Sequence, residues 1–89
     1  MIGRRLRIFG TVQGVCFRAW TARQAEDVSG WVRNRRDGSV EVEAWGEEAA
    51  VEQLIEQCRQ GPSSAQVDRI EIEAIAGEPP EGFRIAPTL

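Results

Sequence analysis

Trp31-Val32-Arg33-Asn34-Arg35-Arg36-Asp37-Gly38-Ser39-Val40-Glu41-Val42-Glu43-Ala44-Trp45 reads as two strands around a turn. Its flanks are rich in β-forming side chains, Val40 to Ala44 alternates apolar with acidic residues, and Asp37-Gly38-Ser39 is turn chemistry. A three-residue loop at 37–39 with Gly38 left-handed predicts Val32 opposite Ala44, Asn34 opposite Val42, Arg33 opposite Glu43 and Arg35 opposite Glu41. Apolar side chains then share one face, and opposite charges meet on the other.

Upstream of this hairpin, Arg5 to Val12 alternates, with Leu6, Ile8 and Val12 on one face and Arg5 and Arg7 on the other, as a half-buried strand does. Gln13 to Arg18 is a tight loop containing Gly14, and Ala19 to Glu26 holds helix formers until Ser29-Gly30 stops them. Downstream, a helix starts after Gly46 with Glu47 and Glu48 near its positive end. Ala50, Val51, Leu54, Ile55 and Cys58 form its apolar stripe, and Gly61-Pro62 ends it. Val67, Ile70, Ile72 and Ala74 mark a further strand, and Phe83-Arg84-Ile85 a short last one after the turn-rich residues 77–82. The order βαββαβ with an extra C-terminal strand predicts an α+β, ferredoxin-like sandwich: a mostly antiparallel sheet with two helices on one face.

Eighty-nine residues are read as one domain spanning 1–89. No apolar run approaches the roughly 20 residues that cross a bilayer, and the N-terminus lacks the apolar core of a secretory signal, so the chain is read as cytoplasmic, with no membrane partner.

 The two cysteines, Cys16 and Cys58, are too few for a disulfide framework, and the absence of histidine removes the usual zinc ligand, so neither metal nor cofactor is expected. The net charge of −3 hides an asymmetry: residues 1–36 carry eight Arg against two acids, residues 37–89 three Arg against twelve. An anion site therefore belongs to the N-terminal part. All eleven basic residues are Arg, the side chain suited to two-pronged contact with phosphate.

A right-handed crossover through the first helix makes the first two strands parallel, with the third between them. Arg18 then lies just past the end of the first strand and Asn34 at the end of the second, on the parity of core-facing Val32, so both reach one sheet edge. Between them the amides of residues 14–18 curl at a helix N-terminus, which favours an anion. No nucleotide-binding glycine motif is present. Cys16 is separated from Arg18 by Phe17 alone, too close for a cysteine phosphatase loop, and is read as a loop residue that supplies its N–H.

Gly10-Thr11-Val12-Gln13-Gly14-Val15-Cys16-Phe17-Arg18, Gly30-Trp31-Val32-Arg33-Asn34, Asp37-Gly38-Ser39-Val40-Glu41, Gly61-Pro62 and Gly82-Phe83 together resemble the acylphosphatase family over nearly the whole chain. The resemblance implies hydrolysis of a small-molecule acyl phosphate, with Arg18 and Asn34 as the catalytic pair. It further implies Gln13, Gly14, Val15, Cys16, Phe17 and Arg18 as the loop that takes the phosphate or another anion. Two departures stand out: Cys16 occupies a position where many members have Gly, and the link before Gly30-Trp31 is short.

Such a reaction suits this composition. A carboxylate leaves without protonation, so no general acid is required, and an Asn amide can orient water but is no strong base. Direct attack by water, without a covalent intermediate, is the expected route. The alternatives are a binding module of the same fold without a catalytic role, and a detached copy of the related domain of hydrogenase-maturation proteins, against which the end at Leu89 is read. Arg33, Arg35 and Arg36 raise the question of nucleic acid, but they are read as strand partners of Glu41 and Glu43 or as solvated, and no nucleic-acid partner is expected. Trp31 and Trp45 lie on the face away from the core, where packing against the last strand or the termini is favoured over an open platform. The chain is expected to be a monomer.

Overall fold

The alternation along the first strand buries Leu6 and Ile8 completely and leaves Arg5 and Arg7 on the opposite face. The computed structural model describes residues 1–89. Its strands are β1 (Ile2–Thr11), β2 (Ser29–Asn34), β3 (Val40–Gly46), β4 (Gln66–Ala74) and β5 (Phe83–Ile85), and its helices α1 (Phe17–Gln24) and α2 (Glu48–Gln60). The sheet order is β4-β1-β3-β2-β5, antiparallel except for the β2–β5 pair. Because β1 and β2 both run antiparallel to β3, they run parallel to each other. This is the ferredoxin-like α+β arrangement with an extra parallel strand at one edge.

Val32, Val40, Val42 and Ala44 join Leu6 and Ile8 beneath the helices, where α2 contributes Val51, Leu54, Ile55 and Cys58 and the start of α1 contributes Phe17. Each of the valine, leucine, isoleucine and phenylalanine side chains among them stabilises the fold by about 1.5–3 kcal/mol through burial. The first helix begins earlier than its composition suggests and ends at Gln24, so Ser29 and Gly30 belong to β2 and do not terminate the helix.

The hairpin register differs by two residues from the sequence expectation. Val32 pairs with Val42, Asn34 with Val40, Arg33 with Glu41 and Gly30 with Ala44. The loop is residues 36–38: Arg35 N–H donates to the Ser39 carbonyl at 2.9 Å, and Gly38 N–H donates to the Arg35 carbonyl at 3.1 Å. Gly38, with φ 94°, takes the last loop position, where the chain must turn left-handed before re-entering the strand. A two-residue shift preserves side-chain parity, so the faces are as expected while the partners change. Glu41, 4 % exposed, holds both Arg33 and Arg35, while Glu43 pairs with Arg5.

The tryptophans form no open platform. Trp45 lies over Gly3 on the neighbouring strand, where any Cβ would strike its ring, and is 8 % exposed. The Arg33 guanidinium covers Trp31 at 4.4 Å.

Gly30 has φ 142°, and a Cβ there would collide with the Glu43 carbonyl on β3. Gly30→Ala is therefore expected to destabilise the fold by roughly 2–4 kcal/mol through strain and overpacking. A thermal melt followed by circular dichroism should show Tm lowered by about 10 °C or more; a wild-type melting curve would contradict this account.

Candidate active site

Parallel β1 and β2 end at the same edge of the sheet, and the chain leaving β1 turns there into α1. Gly14 (φ 75°) and Cys16 (φ 63°) both adopt the left-handed conformation that makes this turn tight. The first helical hydrogen bond runs from Trp20 N–H to the Cys16 carbonyl at 3.0 Å, and the amides of residues 14–19 find no acceptor in the protein. Free amides and the positive end of α1 thus meet at one point, a setting that favours an anion.

Arg18 and Asn34 face a common cleft of about 490 Å³ beside those amides. Gly14 and Cys16 form part of its wall, and Val12, Phe17, Ala19 and Ile85 supply the apolar remainder. A smaller depression of about 180 Å³ between the two helices, near Arg23 and Asp27, contains no buried side-chain polar atom without a partner.

The arginines divide sharply by role. On the sheet face away from the helices, Arg5 pairs with Glu43 and Glu73, Arg7 with Asp37, and Arg33 and Arg35 with Glu41, at 2.6–3.1 Å. The hydrogen bond to Glu43, then that to Glu73, raises the Arg5 pKa further above its ordinary value. Arg18 enters none of the ion pairs. Arg4, Arg23 and Arg36 are likewise outside the ion pairs, but Arg18 is the arginine that shares a cleft with Asn34 and the loop at Gly14 and Cys16.

Asn34 carries the complementary feature. Its Oδ1 is the one buried side-chain polar atom without a hydrogen-bond partner. Such an orphan acceptor costs on the order of 1–3 kcal/mol and calls for an explanation at the place where it occurs. The residue that carries it is one of those lining the cleft with Arg18.

A family model described as Acylphosphatase matches residues 4–85. The chain belongs to the acylphosphatase family. It is 48 % identical over 90 residues to an acylphosphatase of Rhizorhabdus wittichii, covering 99 % of this chain and 91 % of the relative. It is 51 % identical over 88 residues to an acylphosphatase of Azorhizobium caulinodans, covering 94 % of each. The crystal structure of acylphosphatase from Bacillus subtilis superimposes with a TM-score of 0.93 at 34 % identity, covering 97 % of this chain and 99 % of that one.

Within this acylphosphatase-family site the loop residues differ in what they present. The Gln13 side chain points away from the cleft: its Nε2 donates to the carbonyls of Arg35 at 2.7 Å and Ser39 at 2.9 Å. The Val15 carbonyl accepts from Ser64 Oγ at 2.8 Å. Neither residue lines the cleft, so each can reach an anion only through its main-chain N–H. Sequence reasoning did not find the Gln13 bridge or Ile85, because the first depends on where the hairpin turn lands and the second on the parallel pairing of β5. The left-handed backbone at Cys16 is one that glycine would adopt without strain.

Cys58 is buried under α1, and burial pushes its thiol up to about 12, which keeps it protonated. Asp37, in the hairpin loop, has its carboxyl held below the ordinary value by the Ser39 hydroxyl, the Ser39 amide and the charges of Arg7 and Arg35. A lowered folded-state pKa contributes stability that is present above the unfolded-state value of about 4 and is lost as pH falls through the folded one. Asp37→Asn should therefore lower the urea midpoint at pH 7, with the difference from wild type shrinking towards pH 2. A difference independent of pH would show that the charge of Asp37 is not what holds the loop.

Proposed function

We propose that this protein hydrolyses acyl phosphates, with Arg18 and the amides of the Gly14–Arg18 loop holding the phosphoryl group and Asn34 orienting the attacking water. The observation that carries this reading is that Arg18, which has no ion-pair partner, and Asn34, whose side-chain oxygen has no hydrogen-bond partner, line one cleft. Planar guanidinium and converging N–H groups match the phosphoryl oxygens, where negative charge must be held as the bond to the carboxylate breaks. The Asn34 side-chain amide, at the wall of the cleft, hydrogen-bonds the water and fixes its approach opposite the leaving carboxylate.

The balance needs nothing further from the protein. An acyl phosphate dianion and one water give a carboxylate and a dihydrogen phosphate monoanion; the water oxygen bonds to phosphorus, the P–O bond to the acyl group breaks, and both water protons remain on phosphate. The leaving carboxylate is stable at neutral pH, so the absence of histidine does not limit the reaction. The chain is proposed to act as a cytoplasmic monomer of one domain, without metal, nucleic acid or membrane.

Purified protein should release phosphate from benzoyl phosphate, act far more slowly on p-nitrophenyl phosphate, and lose no activity in EDTA. Failure to hydrolyse benzoyl phosphate, or loss of turnover on chelation, would overturn the proposal.

Gln13 ties the loop that ends in Arg18 to the turn that follows Asn34. Gln13→Ala removes both donors and loosens the spacing of the two groups, which is expected to lower kcat roughly 10- to 100-fold. Inhibition by inorganic phosphate should change much less, since the loop amides and Arg18 remain. An unchanged kcat would show that the bridge serves only the fold.

A further inference from the structure

Ile85 is an apolar residue left in the open on the side of the sheet where the core lies. In the parallel pairing of β5 with β2 it stands opposite Val32, so it shares the face of Val32 and Asn34. Val32 is fully buried, yet Ile85 is 48 % exposed, because β5 is the edge strand and nothing lies beyond it. Its position is held by the Ala86 N–H, which donates to the Val32 carbonyl at 2.8 Å. The side chain forms the outer wall of the cleft that Arg18 and Asn34 line.

A phosphoryl group held by Arg18 and the loop amides uses the polar side of that cleft. Its volume of about 490 Å³ lies in the range that encloses a small organic ligand and exceeds what the phosphoryl group alone fills. The rest of the wall is Val12, Phe17, Ala19 and Ile85, of which Val12 and Phe17 are almost fully covered by the protein itself. No acidic side chain and no base other than Arg18 lines the cleft, so a charged acyl group would find no partner there.

We infer that Ile85 sets the acyl specificity of the site, favouring acyl phosphates whose acyl group is uncharged and apolar over acetyl phosphate and over those carrying a second carboxylate. This rests on the proposed hydrolysis of acyl phosphates and deepens it. The energetic basis is removal of apolar surface from water as the acyl group covers the exposed part of Ile85.

The test is kcat/KM for benzoyl, acetyl and succinyl phosphate with wild type, Ile85→Ala, Ile85→Leu and Ile85→Lys. Wild type should rank benzoyl first. Ile85→Ala should lower the benzoyl-to-acetyl ratio roughly tenfold, the lower end of what one apolar contact discriminates, because the site is open to solvent on one side. Ile85→Leu, which conserves volume, should keep the ratio, and Ile85→Lys should raise succinyl relative to benzoyl phosphate. Comparing ratios across variants cancels the intrinsic reactivity of each anhydride and any change in folded fraction. Ratios that are equal in wild type and Ile85→Ala overturn the role of Ile85, whereas a wild type that hydrolyses none of the three overturns the underlying reading instead.

Discussion

Arg18→Ala is expected to lower kcat/KM for benzoyl phosphate by roughly 10³-fold or more, the scale on which a guanidinium at a transferring phosphoryl group acts. Arg18 is the one charged side chain on the cleft, so its removal leaves the developing charge to the amides and the end of α1 alone. Both substrate binding and turnover should suffer, because the phosphoryl oxygens carry charge before as well as during bond breaking. Inhibition by inorganic phosphate should weaken in parallel. Arg18→Lys keeps the charge but loses the planar two-pronged contact and should recover only part of the loss. The melting temperature should hardly move, since Arg18 contributes no ion pair to the fold. Wild-type turnover in Arg18→Ala would sink the assignment.

Asn34→Ala is expected to divide the kinetic constants differently. In its proposed role Asn34 acts on water, so kcat should fall by about 10²–10³-fold, the loss seen when one aligned polar contact to the reacting centre is deleted. KM and phosphate inhibition should stay near wild type, because Arg18 and the amides are untouched. The variant should also be no less stable, since deleting an orphan acceptor removes a desolvation cost along with the side chain. Asn34→Asp offers a sharper contrast: a carboxylate can also orient water, but it places negative charge against the phosphoryl dianion, so phosphate inhibition should weaken as well. Equal losses of phosphate affinity in Asn34→Ala and Arg18→Ala would mean that Asn34 binds substrate and does not position water.

Much of this site could be read from the chain before any coordinates. The first-strand alternation of Leu6 and Ile8 against Arg5 and Arg7, and the apolar stripe of α2, are local patterns imposed by a period of two or 3.6 residues. They set the element order, and handedness of the crossover then places the ends of β1 and β2 on one edge. The positions of Arg18 and Asn34 follow. The resemblance to acylphosphatases assigned their roles, and the fold accounts for why residues sixteen apart can share a cleft.

The turn shows where such reading stops. Asp37-Gly38-Ser39 signals a reversal, but whether Gly38 occupies its middle or its end depends on which hydrogen bonds close it. The closing pair is Arg35 and Ser39, so every cross-strand partner moves by two residues. Glu41 thereby becomes the shared partner of Arg33 and Arg35, and the carbonyls of Arg35 and Ser39 come within reach of Gln13.

What the amino-acid sequence determined by itself is the set of elements, their inward faces and the edge at which Arg18 and Asn34 end, because periodicity and chirality act locally along the chain. Only the tertiary structure decided which arginines are taken up in ion pairs, which amide oxygen is orphaned, and which edge residue walls the cleft. Those properties depend on what the other strands bring alongside: Glu41 and Glu43 neutralise arginines of the far face, the packed fold buries Asn34 Oδ1 without a partner, and the parallel docking of β5 leaves Ile85 half exposed beside the site.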